Sequence, residues 1–201
     1  MKFFTGDTHY FHDSLLGKND FAPRLFKTTE KMHETMIHNW NLVVEDKDTV
    51  YHLGDVAMHP NYEAGFPEIL SILSQLRGKI VFIKGNHDTR DFFKYLAEND
   101  PKTSTGENKF AFEDVGVLLK FNHHQYYLTH YPMLLGTTKN IRNLHGHIHH
   151  YSVPIPENIN VGVDAPELDF LPEKMPFGTP ISENQIDQIA AEKAAELAKL
   201  R

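Results

Sequence analysis

Short apolar runs that each lead into a polar residue recur along the chain from Lys2 to His150. The runs are rich in Val, Ile, Phe and Tyr and close on Gly, Asn or Pro. This pattern predicts buried strands that meet turns. The five segments read KFFTGD, DTVYHLGD, KIVFIKGNHD, QYYLTHYP and RNLHGHIHH.

Segments with helical periodicity lie between these strands. TTEKMHETMIHNWNLVV places Met32, Met36, Ile37 and Trp40 on one face, and PEILSILSQLRG ends at Gly78, a plausible residue just beyond a helix. TRDFFKYLAENDP predicts a short helix that stops before its proline. The alternation of strands and helices predicts an α/β fold.

The C-terminal half adds further strands and a last helix. Phe110 and Phe112 can share one strand face, and GVLLKFNHHQYYLTH predicts two strands around a polar turn at 122–125. The tail SENQIDQIAAEKAAELAKL begins with a possible capping box, Ser182 and Gln185, and carries only a thin apolar stripe. We therefore predict one domain over residues 1–180 and a peripheral helix over 181–201.

Composition narrows the chemistry. The net charge of −7 argues against long nucleic acids as partners. The absence of cysteine excludes thiolate metal sites and cysteine nucleophiles and favours a reducing cytoplasm. The N-terminus does not resemble a signal peptide, and no apolar run is long enough for a membrane span, so we expect no membrane partner.

The 14 histidines are the unusual part of the composition. Without cysteine, a metal site must use imidazole, carboxylate and amide groups. These ligands suit two divalent ions, for which we place Mn first and Fe, Zn, Ni or Mg after it.

The polar residues at the strand ends form one candidate site, because ligands in α/β folds gather beyond the carboxyl ends of the strands. Asp7 and His9 are two residues apart, as are His147 and His149, and on an extended chain that spacing puts both side chains on one side. The full set contains more ligands than one four-coordinate ion can bind. It suits two ions that share a carboxylate, the usual arrangement for phosphate-ester hydrolysis. The candidates are Asp7, His9, Asp55, Asn86, His87, His130, His147 and His149.

Five motifs in a fixed order, GDTH, LGDV, GNHD, THYP and GHIH, resemble the calcineurin-like metallophosphoesterase superfamily. FFTGDTHYFH and NVGVD are similar to a compact subgroup of stand-alone bacterial or phage phosphoesterases. The resemblance implies a four-layer α/β/β/α sandwich with a binuclear metal centre.

The same resemblance implies a role for each residue. Asp55 would bridge the two metals, and His87 would donate a proton to the leaving group. Asp88 would hydrogen-bond His87 and fix its tautomer. His12, which lies near the first motif, is a candidate contact for the substrate. Arg142 is a second candidate, not from the resemblance but because its cation suits a phosphate. The first metal would be held by Asp7, His9 and His149, and the second by Asn86, His130 and His147.

We therefore expect a phosphoesterase in which a hydroxide held between two metals attacks phosphorus. Monoesters and diesters, including nucleotides, both fit, and the sequence does not indicate an oligomeric state. GDVAMHP lacks the Arg that protein phosphatases of the superfamily carry after the bridging Asp, which argues against phosphoproteins. The segment APELDFLPEK beyond Asp164 departs from the subgroup and receives no role.

The alternative is a non-catalytic scaffold with the same fold, like the retromer subunit of the superfamily, in which the catalytic His is replaced. Here His87 and every predicted ligand are present, which favours the enzyme. Within LHGHIHH the period of a strand puts His145 on the same side as His147 and His149. The motif GHIH selects only the latter two, which leaves His145 as a neighbour of the site and His150 as a surface residue.

Overall fold

The computed structural model describes residues 1–103, 105–136 and 140–200. Its strands and helices follow the hydrophobic pattern of the chain. The strands are β1 (Lys2–Thr5), β2 (Thr49–His52), β3 (Lys79–Ile83), β4 (Phe110–Glu113), β5 (Gly116–Phe121), β6 (His124–Thr129), β7 (Ile141–His145), β8 (Asn158–Asn160) and β9 (Ile181–Ser182). The α-helices are α1 (Thr29–Val43), α2 (Phe66–Gln75), α3 (Arg90–Glu98) and α4 (Glu183–Lys199), and short 3₁₀ helices cover Asp13–Leu15, Tyr62–Gly65 and Pro166–Phe170.

The strands form two sheets. The first has the order β4-β3-β2-β1-β9, in which β1 to β4 are parallel and β9 runs antiparallel to β1. The second has the order β5-β6-β7-β8, with β5 antiparallel to β6 and the other pairs parallel. An isolated parallel bridge between Gly6 and Gly162 joins the chain beyond β1 to the chain beyond β8.

The hairpin between β5 and β6 is tighter than predicted. Phe121 pairs with His124, so the turn consists of Asn122 and His123 rather than four residues. Both turn residues have positive φ, 46° and 63°. Two consecutive positive φ angles are typical of the turn that matches the twist of a two-residue hairpin.

The helices begin where side chains can satisfy their first backbone N–H groups. Thr28 and Thr89 accept hydrogen bonds at the starts of α1 and α3, and Ser182 and Gln185 form the predicted capping box of α4. The helix α2 ends earlier than expected, with Leu76 as its C-terminal cap, and Gly78 (φ 81°) lies two residues beyond it.

Two hydrophobic cores lie between the layers. In the first, α1, α2 and α3 cover one face of the first sheet, where Met32, Met36 and Trp40 of α1 pack against Val50 and Phe82. The second lies where the two sheets face each other, and α4 closes it with its apolar residues. Its members include Phe4, Leu53, Tyr126, Leu144, Ile159, Ile186 and Ile189.

The predicted α/β sandwich class is confirmed: two stacked sheets with flanking helices. The last helix contacts β1 and β9 of the first sheet and β8 of the second, so it joins the edges of both. The division into a domain over 1–180 and a helix over 181–201 stays a prediction. Among the described residues, no helix combines the length and apolar character needed to cross a membrane.

Candidate metal centre

The predicted site residues meet at the carboxyl ends of the parallel strands of both sheets. Asp7 follows β1, Asp55 follows β2 and Asn86 follows β3, while His130 follows β6 directly. The segment 147–149 follows β7. The bridge between Gly6 and Gly162 holds the two sheets together at this edge.

The local geometry differs from the extended chain that the residue spacing suggested. Beyond the strands, the backbone turns into the left-handed region, which non-glycine residues seldom adopt. Such conformations cluster at functional sites, where the surrounding structure holds them in place. The site residues with positive φ are Asp7 (53°), His9 (45°), Asp55 (55°), His147 (72°) and His149 (47°).

A first group of possible metal ligands consists of Asp7, His9 and His149. One ligand atom from each lies within 4.8 Å of the others, and all three side chains are buried. The backbone N–H of His147 donates to both Asp7 carboxylate oxygens, at 3.0 and 2.9 Å.

A second group consists of Asp55, His130 and His147, again with ligand atoms within 4.8 Å of one another. The Oδ1 atom of Asn86 lies 2.8 Å from His130 Nε2, which brings the amide to the same place. The two histidines of GHIH, His147 and His149, thus fall into different ligand groups.

Asp55 lies between the two groups. Its Oδ2 atom is 3.6 Å from His9 Nε2 and 3.4 Å from His130 Nε2. Its Oδ1 atom accepts a hydrogen bond of 2.8 Å from the backbone N–H of His87. One carboxylate oxygen therefore faces a histidine of each group.

Glycines make room for the Asp7 carboxylate. A Cβ atom on Gly146 would lie 2.7 Å from Asp7 Oδ2, and one on Gly162 would lie 2.5 Å from the same oxygen. Both distances are shorter than any real Cβ contact, so the carboxylate position requires glycine on both sides.

The hydrogen bonds around His130 favour a positive charge between its Nε2 atom and the neighbouring oxygens. His130 Nδ1 donates to the carbonyl of Leu53 at 2.8 Å, which leaves a lone pair on Nε2 of the neutral ring. That lone pair faces oxygens of Asn86 and Asp55. Three acceptors converge, and a proton or a cation between them relieves the repulsion.

The charges of the site fit a cation as well. Burial lowers the pKa of His130, but the hydrogen bond and charge of Asp55 outweigh burial and raise it. Burial raises the pKa of Asp7 to about 6, against the opposing charges of His149 and His130. Burial and the charge of Arg24 hold the pKa of His9 well below its usual value, so the ring is neutral, as metal binding requires.

The buried His9 side chain gives an independent indication of a metal site. Within the described parts of the chain, its buried Nε2 atom has no hydrogen-bond partner. A buried polar atom is costly unless something satisfies it, and a divalent ion does so for an imidazole nitrogen. The donor set, the converging lone pairs and this nitrogen all fit divalent metal.

The structure gives Asp88 a different role from the predicted one. Its carboxylate is occupied by three backbone N–H groups, those of Asp55 (2.8 Å), Val56 (2.9 Å) and Gly85 (2.9 Å). The predicted hydrogen bond from Asp88 to the His87 ring was therefore wrong. Asp88 instead ties the loop after β3 to the loop after β2, because the buried carboxylate satisfies backbone groups that strand pairing leaves free.

His87 and His12 lie at the open side of the site. The His87 ring is exposed and meets the His9 ring edge-on, with 5.3 Å between centroids. The half-buried ring of His12 lies 6.3 Å from that of His87, and its Nδ1 atom is 3.1 Å from His9 Nδ1. Both side chains can therefore reach a molecule bound at Asp55.

Arg142 is not brought to the site. Its guanidinium donates to Asp187 Oδ1 at 2.7 Å and to the Tyr126 hydroxyl at 3.0 Å, which places it beside the first turns of α4. The predicted substrate contact through Arg142 was wrong, because a long-range ion pair uses the side chain elsewhere. His145 is fully buried, and burial lowers its pKa to about 4.

Sequence reasoning missed Arg24 and Asp164. Asp164 Oδ2 lies 3.0 Å from His149 Nδ1, and Arg24 Nη2 lies 2.7 Å from the same carboxylate oxygen. A carboxylate on Nδ1 orients the ring and leaves Nε2 as the ligand atom. The motif NVGVD pointed to Asp164. Nothing in the segment FAPRLF indicated that its arginine, Arg24, would be buried.

Comparison with known proteins agrees with this geometry. The family model described as calcineurin-like phosphoesterase matches residues 3–188. An uncharacterized protein of Methanocaldococcus jannaschii is 34% identical over 139 residues, which cover 67% of this chain and 76% of that protein. The crystal structure of a protein of unknown function from Aquifex aeolicus is similar with a TM-score of 0.65 and 25% identity, over 94% of this chain and 98% of that one. The chain belongs to the calcineurin-like phosphoesterase family.

Proposed function

We propose that the protein is a metal-dependent phosphoesterase that hydrolyses small phosphomonoesters or phosphodiesters, nucleotides among them. The observation that carries the proposal is the position of Asp55, whose Oδ2 atom faces His9 of one ligand group and His130 of the other. A shared carboxylate between two ligand groups suits two metal ions. Two metal ions held close together in this way are the usual arrangement for phosphate-ester hydrolysis.

Asp7, His9 and His149 would hold one ion, and Asn86, His130 and His147 would hold the other, with Asp55 shared between them. Oxygen and imidazole ligands without sulfur favour Mn, while Fe, Zn, Ni and Mg remain compatible. When bound, two such ions neutralise the phosphoryl oxygens and supply a nucleophile at neutral pH.

The protein itself contributes positioning and a proton. The backbone N–H of His87 donates to Asp55 Oδ1, so the loop after β3 and the shared carboxylate are held together. The exposed His87 ring can then donate a proton to the leaving oxygen. His12, beside both His9 and His87, is placed to hydrogen-bond the phosphate group.

The other parts of the proposal rest on the sequence. The acidic net charge disfavours long nucleic acids, and the absence of cysteine favours a cytoplasmic location. Neither property names the natural substrate.

The proposal is tested by metal analysis and by hydrolysis of an aryl phosphate monoester and diester with added Mn, Ni, Zn or Mg. Asp55→Asn should abolish hydrolysis and reduce the bound metal, because the shared ligand loses its charge. His87→Ala should keep both metals and lower kcat by about 10²- to 10⁴-fold.

His38→Ala is the matched control, since His38 is an exposed histidine on α1 and the change should alter neither metal content nor rate. Full activity in His87→Ala would remove the assigned role of that residue. A metal-replete chain that hydrolyses neither class of ester would overturn the proposal in favour of a non-catalytic scaffold.

A further inference from the structure

A cavity of about 190 Å³ opens beside His87. It lies between the loop after β2, the 3₁₀ helix Tyr62–Gly65 and the start of α3. The residues that line it include Met58, Tyr62, Phe66, Ile69, His87 and Phe92.

The walls are aromatic and firmly packed. Phe66, Ile69 and Phe92 belong to the first hydrophobic core, and the rings of Phe66 and Phe92 lie 5.3 Å apart. Tyr62 meets Phe66 edge-on at 5.6 Å. These contacts hold the inner wall in place, so the cavity does not depend on a ligand for its shape.

The mouth of the cavity exposes apolar side chains. Met58 is 42% exposed and Tyr62 is 49% exposed, although both are large hydrophobic residues. The described residues that line the cavity include no Lys, Arg, Asp or Glu. The cavity therefore suits an uncharged group rather than the phosphate itself.

The size of the cavity limits its occupant. A dry apolar cavity of roughly 150 Å³ in another protein is large enough for benzene. A volume of about 190 Å³ therefore accommodates one aromatic ring with a short linker.

We propose that this cavity receives the leaving alcohol of the substrate, and that this alcohol carries a single aromatic ring. The inference rests on the proposed function: if His87 protonates the leaving oxygen, the group attached to that oxygen lies on the His87 side of the site. The cavity beside that ring is then the leaving-group pocket, and Met58 and Tyr62 set its preference.

The test compares benzyl phosphate with ethyl phosphate, together with the methyl diester of each. Both leaving groups are alkoxides of similar intrinsic reactivity, so a difference in kcat/KM reports the ring. The manganese-loaded protein should prefer the benzyl ester. Tyr62→Ala and Met58→Ala should each lower kcat/KM for the benzyl ester by about 3- to 10-fold and lower it less for the ethyl ester, which has no ring to contact them.

Leu118→Ala is the control, because Leu118 is equally exposed at 50% but lies on β5, away from the cavity. It should change neither substrate. Equal rates for both esters in the wild type, or equal losses for both in Tyr62→Ala, would overturn the pocket assignment.

A binding measurement separates the pocket from the chemistry. Benzylphosphonate and ethylphosphonate are not hydrolysed, so calorimetry gives their Kd without turnover. We expect tighter binding of benzylphosphonate, and a loss of that preference in Tyr62→Ala. Preferential binding without hydrolysis of any ester would contradict the proposed function alone, whereas hydrolysis without a ring preference would contradict the pocket alone.

Discussion

The guanidinium of Arg24 and the carboxylate of Asp164 form a buried, two-pronged ion pair directly behind His149. Nη2 lies 2.7 Å from Oδ2 and Nε lies 3.2 Å from Oδ1. Arg24 also donates to the backbone carbonyls of Asp7 and Thr8, each at 2.6 Å. One arginine thus ties the chain after β1 to the chain after β8.

This pair keeps Asp164 ionised as a partner for His149. Burial acts to raise the pKa of Asp164, but the charges of Arg24 and His149 and their hydrogen bonds outweigh it and lower the pKa to about 2. An ionised carboxylate on Nδ1 strengthens the imidazole as a ligand.

Asp164→Asn should therefore weaken metal binding by about 10- to 100-fold, because His149 loses its charged partner. Titration of the metal-free protein with Mn measures the change. Asp187→Asn is the control, since Asp187 pairs with Arg142 away from the site. Unchanged affinity in Asp164→Asn would remove the role of this carboxylate.

Asp88→Asn should destabilise the fold by about 1–3 kcal/mol, since an amide places N–H groups against backbone N–H groups that need an acceptor. Urea unfolding measures the loss. Asp114→Asn, an exposed aspartate in the turn after β4, should change stability by no more than about 0.5 kcal/mol. A variant Asp88→Asn with wild-type stability and a reduced kcat would instead restore the catalytic role that the sequence suggested.

Lys193→Met should destabilise the protein by about 3–5 kcal/mol, because it leaves Glu167 as a buried charge without its partner. Lys193 Nζ lies 2.7 Å from Glu167 Oε1 and 2.6 Å from the carbonyl of Asn158, and both charged side chains are almost fully buried. The double variant with Glu167→Leu should recover most of that loss, as paired apolar replacements often do.

Lys199→Met, at the exposed end of the same helix, is the control for Lys193→Met and should leave the urea midpoint unchanged. A small effect of Lys193→Met would mean that α4 is anchored by its apolar residues alone.

His33→Gln should reduce the acid sensitivity of the fold. His33 Nε2 accepts the backbone N–H of Phe11 at 2.9 Å, and burial lowers the pKa of the ring to about 4 from 6.5. Between these values the unfolded chain binds a proton that the folded chain does not, so the free energy of unfolding falls as the pH drops. Glutamine keeps a hydrogen-bond acceptor for the Phe11 N–H but does not bind a proton in this pH range.

Urea unfolding of His33→Gln and of the wild type, at about pH 7.5 and about pH 4.5, measures this effect. The stability of the variant relative to the wild type should rise at the lower pH. His38→Gln, on the exposed face of the same helix, should follow the wild type at both. A difference between His33→Gln and wild type that does not change with pH would contradict the assignment.

The residues of the candidate site were predictable because their signals are local. Asp7, Asp55 and His130 each follow an apolar run, and the carboxyl ends of parallel strands meet at one edge. The capping box of Ser182 and Gln185 was also readable, since its members lie three residues apart.

The conformation of the site residues was not predictable from spacing. The period of a strand places His145, His147 and His149 on one side, but β7 ends at His145. Beyond it, positive φ angles turn His147 and His149 toward different ligand groups. A histidine in the sequence does not by itself predict a left-handed backbone. The packed loops hold both residues in that conformation.

By itself, the sequence determined β1 to β7, the four α-helices and the set of polar residues at the strand ends, because hydrophobic periodicity and capping act between near neighbours in the chain. The short strands β8 and β9 had no such pattern. The tertiary structure decided the partners: Arg24 with Asp164 across 140 residues, Arg142 with Asp187 across 45, and Asp88 with the loop after β2. These pairings follow from how the two sheets and α4 pack. Burial makes the partners of Arg24 and of Asp88 obligatory, since an isolated buried charge is far costlier than a paired one.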